Sequence, residues 1–173
     1  MTTIISGTNR PNSYSLRLAL IIKSFFDHNN FPSSVLSLCD LPDSLASTDM
    51  YGKRSDAFKP IQELIRSSDK FLFILPEYNG SYPGIAKLFI DSLDFPGSFK
   101  NKKAALIGLA SGKYGNIRGI DHFTGVCHYL GLHVLPLKLH VPGIREEISA
   151  DGTLLKEDTQ KFMHELVDQF IAF

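Results

Sequence analysis

Tryptophan is absent from this chain of 173 residues, and cysteine occurs only twice, at Cys39 and Cys127. The two form neither a CxxC pair nor a zinc-like spacing. That excludes a disulfide framework and leaves two free thiols, buried or half-buried, in a reducing compartment. An excess of one charge is lacking too: eighteen basic residues balance eighteen acidic ones. No global field therefore favours nucleic acid or an anionic membrane. The short run Lys100-Asn101-Lys102-Lys103 reads as a solvated turn before a strand. Apolar stretches such as Leu18-Ala19-Leu20-Ile21-Ile22 fall far short of the roughly 20 residues that span a bilayer. The amino terminus leads straight into a strand, without the basic, apolar and cleavage regions of a secretory leader. With no repeat, linker or low-complexity tract, the expectation is one cytoplasmic domain over residues 1–173, large enough to bury a core.

What the chain does have is strand and helix in alternation, which argues a parallel sheet with helices on both faces. The strands read as Thr3–Ser6, Val35–Leu38, Phe71–Leu75, Ala104–Ala110 and His133–Leu139. Between them, helical spacing predicts a helix from about Ser15 to Phe26 and a second bearing Phe58, Ile61, Leu64 and Ile65 after the polar stretch Cys39–Asp56. A third bears Ile85, Leu88, Phe89 and Leu93, and a fourth bears Ile120, Phe123, Cys127 and Leu130 and stops at Gly131. Pro136 suggests that the fifth strand lies at a sheet edge. Asp151-Gly152 marks a small hairpin between Ile148 and Leu154, and Phe162, Met163, Leu166, Val167 and Phe170 form the stripe of a last helix. Five such units predict an α/β, flavodoxin-like three-layer sandwich with a five-stranded parallel sheet in the order 2-1-3-4-5.

Function concentrates in the loops. Pro76-Glu77-Tyr78-Asn79-Gly80-Ser81-Tyr82-Pro83-Gly84 follows the apolar third strand, where open α/β sheets bind ligands. Its turn residues and main-chain N–H groups suit a flat heteroaromatic ligand held edge-on. After the first strand come Thr8, Arg10, Ser13 and Ser15, then a helix amino terminus. Hydroxyls, a guanidinium and a helix dipole are the ingredients of a phosphate site, whereas N-capping accounts for one serine only. After the fourth strand come Ser111, Gly112, Lys113, Tyr114 and Gly115. In the order 2-1-3-4-5 the three loops are neighbours. No Walker ending and no GxGxxG follows the first strand, and Ser111 is not in a GxSxG elbow. His122 and His128 are six residues apart on one helix and face different sides, which argues against a metal pair.

These motifs together resemble the NADPH-dependent FMN reductases, a flavodoxin-like family that includes quinone, azo-dye and chromate reductases. The family's first loop reads Gly-Ser-x-Arg-x-x-Ser with Asn or Ser two residues on. Gly7-Thr8-Asn9-Arg10 through Ser13 and Ser15 is similar, with threonine for the first serine. Its second motif, Pro-Glu-Tyr-Asn-x-Ser followed by Pro-Gly, looks like Pro76 to Gly84. The resemblance covers essentially the whole chain. It implies that Thr8, Arg10, Ser13 and Ser15 hold the FMN phosphate. Pro76, Glu77, Tyr78 and Asn79 would lie along the isoalloxazine with their main chain at its N5 and carbonyl edge. Ser111, Gly112 and Gly115 would close over its pyrimidine side, with no catalytic side chain and no metal. The implied activity is an FMN-dependent NAD(P)H oxidoreductase. It would pass hydride from NADPH (or NADH) through FMN to a flavin, quinone, azo compound or metal oxyanion, by a ping-pong scheme. The resemblance also implies a homodimer or homotetramer. Lys113-Tyr114 and Ser92 depart from the family, which often has smaller residues and tryptophan there. A flavodoxin-type electron carrier or a non-catalytic flavin-binding protein is the alternative; Arg10 and the zero net charge speak against the carrier.

Overall fold

The sheet of this computed structural model has five strands, β1 (Thr2–Ser6), β2 (Ser33–Ser37), β3 (Lys70–Pro76), β4 (Lys103–Leu109) and β5 (His133–Val141). All pairings are parallel, in the order β2-β1-β3-β4-β5. Helices α1 (Tyr14–His28), α2 (Lys59–Ser67), α3 (Gly84–Ser92), α4 (Ile117–Tyr129) and α5 (Glu157–Ala172) complete the α/β sandwich. Residues 1–50, 53–149 and 151–173 are described; Tyr51 and Gly52 of the polar stretch, and Ala150 beside the Asp151-Gly152 turn, lie outside them.

Strand β3 shows why the sequence makes three layers. Alternate residues point to opposite faces, so Phe71, Phe73 and Leu75 join Phe58, Ile65, Phe89 and Phe123 on the side of α2, α3 and α4. Leu72 and Ile74 join Leu18, Ile22 and Phe26 of α1 and Met163 and Leu166 of α5 on the other. All five β3 side chains are at most 1% exposed. Fully burying each such side chain stabilises the fold by about 1.5–3 kcal/mol, so both faces must be covered.

The edges depart from the periodic reading in instructive ways. β2 ends at Ser37 instead of Leu38, because the Ser37 hydroxyl accepts from the Cys39 N–H at 3.2 Å and starts a short 3-10 turn, Leu38–Asp40. β5 lies at the edge, and Pro136, which has no N–H to give a ladder, falls where the register shifts opposite Ala104–Leu106. The strand runs on to Val141, two residues past Leu139. A bridge pairs Ile148 with Leu154, and α4 is followed by Gly131 at φ +76°. Phe162 corrects the expected α5 stripe: it is 51% exposed, because it sits at the flank of the arc centred on Met163, Leu166 and Phe170. No helix among the described residues is long and apolar enough to cross a membrane.

Candidate functional site

The carboxyl ends of β1, β3, β4 and β5 converge on one cleft of about 250 Å³. Thr8, Arg10, Ser13, Ser15, Pro76, Glu77, Tyr78 and Ser111 line it, so eight of the residues singled out by sequence meet in one place. Gly7 lets the first loop start there: its N–H donates to Ile74 C=O at 2.9 Å, and any Cβ would strike the Leu75 side chain. Thr8 Oγ1 lies 2.8 Å from the Tyr78 hydroxyl, tying the first loop to the second, and accepts from the Arg10 N–H at 3.3 Å.

Ser13 is the N-cap of α1, with its hydroxyl accepting from Leu16 N–H at 3.2 Å. Capping thus uses one serine. Ser15, in the same first turn, is 1% exposed, and its Oγ has no hydrogen-bond partner among the described residues. A buried hydroxyl left unsatisfied costs about 1–3 kcal/mol, so a group entering the cleft to pair with it regains that cost. No acidic residue occupies the first turn of α1, so no side-chain carboxylate there offsets the positive end of the helix dipole.

The second loop is a two-residue hairpin. Tyr78 and Ser81 exchange N–H···O bonds of 2.9 and 3.1 Å around Asn79 and Gly80, at φ +51° and +77°. Two positive φ values make the type I′ turn that Asn-Gly favours. This geometry narrows which main-chain N–H groups of residues 76–79 remain for a ligand to that of Asn79. Pro76 has none, Glu77 N–H donates to Leu109 C=O at 2.8 Å, and Tyr78 N–H is committed to the hairpin. The half-buried Glu77 carboxylate turns back into the protein and accepts from Asn116 N–H at 3.2 Å. Asn116, fully buried at φ +64°, also donates from Nδ2 to Leu75 C=O at 2.9 Å, so it locks the third loop onto the end of β3.

Asn79, Gly112 and Gly115 are not among the lining residues. Gly115, at φ +56°, packs on β5, where a Cβ would come within 2.6 Å of Val141 N. Tyr114 is 70% exposed beyond the cleft wall. Ser81 Oγ meets His122 Nδ1 at 2.9 Å at the surface. Cys127 is fully buried, and burial pushes its thiol up to about 12, which rules it out as a nucleophile.

The resemblance of the loops extends to the chain. Residues 2–144 match the family described as NADPH-dependent FMN reductase. The chain belongs to this family. As an NADPH-dependent FMN reductase it is an oxidoreductase, with FMN as cofactor and NAD(P)H as co-substrate. It is similar to a 2-hydroxy-1,4-benzoquinone reductase from a Burkholderia species, 26% identical over 98% of this chain and 93% of that protein. A probable NADPH:quinone oxidoreductase 2 of Oryza sativa subsp. japonica is 31% identical over 98% of this chain and 86% of its own length. Among solved structures, FerB of Paracoccus denitrificans, a flavoenzyme NAD(P)H:acceptor oxidoreductase, superposes with a TM-score of 0.81. That match is at 26% identity and covers 99% of this chain and 94% of that one.

The cleft is also lined by residues that the motifs did not flag, among them Asn12, Tyr14, Leu109, Ala110, Ile144 and Arg145. The first two lie inside the loop already recognised. Ile144 and Arg145 come from a short 3-10 turn after β5, Ile144–Glu146, where no periodic or glycine-rich signal announces a site.

Proposed function

We propose that the cleft binds FMN with its phosphate among Thr8, Arg10, Ser13 and Ser15 and its ring along Pro76, Glu77, Tyr78 and Asn79, below Ser111, Gly112 and Gly115. The observation that carries this reading is the buried Ser15 hydroxyl at the amino terminus of α1, without a partner among the described residues, in a cleft that Arg10 also lines. When bound, FMN supplies a centre that exchanges a hydride with NAD(P)H and with an acceptor. The chain's own part is to hold the ring at the sheet edge. Tyr78 and Thr8, bonded to one another, form a wall of the cleft, and the Tyr78–Ser81 hairpin is braced through Glu77 and Asn116. No side chain is asked to move a proton to the ring, since hydride transfer needs orientation.

The net reaction is NADPH + H⁺ + quinone → NADP⁺ + hydroquinone, with quinones favoured as the acceptor class by the names of the two relatives. Flavins, azo compounds and metal oxyanions fill the same chemical role. Loops after β1, β3 and β4 and the turn after β5 wall the cleft, and donor and acceptor use its solvent-open side in turn, a ping-pong scheme. The chain is further read as one FMN-binding domain in the cytoplasm, where Cys39 and Cys127 stay reduced. Association as a homodimer or homotetramer is supported by the exposed Phe95–Tyr129 stack beside Ile90, Leu93 and Val126, and sedimentation velocity tests it: a monomer at all concentrations contradicts it.

Titration with FMN and riboflavin tests the cofactor assignment. Arg10→Ala is expected to weaken FMN by at least about tenfold, the scale of a charge-assisted hydrogen bond, and to leave riboflavin unaffected. Unchanged FMN affinity would refute the phosphate assignment.

A further inference from the structure

The cleft is lined by a second arginine that no motif assigns. Arg145 stands on the 3-10 turn Ile144–Glu146 and lines the same cavity as Arg10, Ser13 and Ser15. The turn is docked rather than loose. Gly143 N–H donates to Gly112 C=O and Ile144 N–H to Ala110 C=O, both at 3.0 Å, and Ile144 is 2% exposed in the core shared by α1 and α5. Arg145, itself exposed, lines the same cleft as Tyr14 and Ser15 at the amino terminus of α1. Its charge is not consumed locally. Among the described residues Arg145 enters no ion pair. The neighbouring Glu147 carboxylate is taken by Lys156 Nζ at 2.6 Å and Thr159 Oγ1 at 2.7 Å.

Two cations around about 250 Å³, with one buried hydroxyl lacking a partner, suit a ligand end that is small, doubly charged and rich in acceptors. A phosphate monoester has that character at neutral pH. A forked, planar donor also matches phosphate better than an ammonium does. We infer that Arg145 is a second cationic anchor for the FMN phosphate, reaching it from the β5 side while Arg10 reaches it from the β1 side. The inference rests on the FMN reading above and adds a residue to it.

Fluorescence titration of the apoprotein with FMN and with riboflavin, at low and high ionic strength, separates the two. Arg145→Ala is expected to lose about tenfold in FMN affinity, with riboflavin unchanged, a shallower salt dependence and an unaltered melting temperature. Arg145→Lys should recover only part of the loss. Equal losses for FMN and riboflavin, or unchanged FMN affinity accompanied by a raised KM for NADPH, would overturn the role of Arg145. In those cases Arg10→Ala still separates FMN from riboflavin and the FMN reading stands. A wild-type protein that does not distinguish FMN from riboflavin would overturn both.

Discussion

At Glu77 the direction of one carboxylate decides between a catalytic and a bracing role. Its Oε2 accepts from the N–H of the buried Asn116, and its own N–H is bonded to Leu109 C=O. A glutamine keeps an oxygen for Asn116, so Glu77→Gln is expected to retain most of the flavin reduction rate. Glu77→Ala leaves the Asn116 N–H without an acceptor and should cost about 1–2 kcal/mol of stability in urea unfolding. A thousandfold slower reductive half-reaction in Glu77→Gln, with FMN still bound, would make Glu77 a catalytic group instead. Ser15 illustrates the converse case. Its hydroxyl is satisfied by nothing in the described chain, and a residue of that kind at a cleft marks a ligand more specifically than an exposed one.

The elements that form the cleft depend on close backbone approach. Gly119, in the first turn of α4, lets the helix pack on the hairpin of the second loop: a Cβ there would stand 2.7 Å from Ser81 C and overlap the Asn116 side chain. Gly119→Ala is expected to destabilise by about 1–3 kcal/mol, the usual cost of overpacking, and to weaken FMN binding as the hairpin shifts. Gly125→Ala, on the same helix with open space around it, should be neutral or stabilise by up to about 1 kcal/mol through helix propensity. Similar thermal shifts for both would show that the contact does not matter. The strand order and the meeting of three loops were legible from sequence, because unbroken apolar strands such as Phe71–Leu75 end abruptly in glycine, asparagine and serine. The spent N–H groups of Glu77 and Tyr78 were not legible, since they follow from the β3–β4 register and the hairpin geometry. Arg145 escaped for a different reason: β5 runs past Leu139 to Val141, and the turn after it has neither period nor motif.

For the molecule as a whole, zero net charge means that no global field draws an anionic cofactor, and the proposed phosphate site relies on the local guanidinium of Arg10 and the dipole of α1. Binding should therefore respond to salt mainly through the phosphate end. On the proposed ping-pong scheme, steady-state kinetics with NADPH and a quinone should give parallel double-reciprocal lines. Intersecting lines would require a second site. The most direct test of an FMN-dependent reductase is to mix the FMN-loaded protein anaerobically with NADPH and follow flavin absorbance. Bleaching within seconds, reversed on adding a benzoquinone after the NADP⁺ is removed, is the expected result. Absorbance that stays unchanged until a separate reductase is supplied would contradict it, and would mark an electron carrier or a non-catalytic flavin-binding protein.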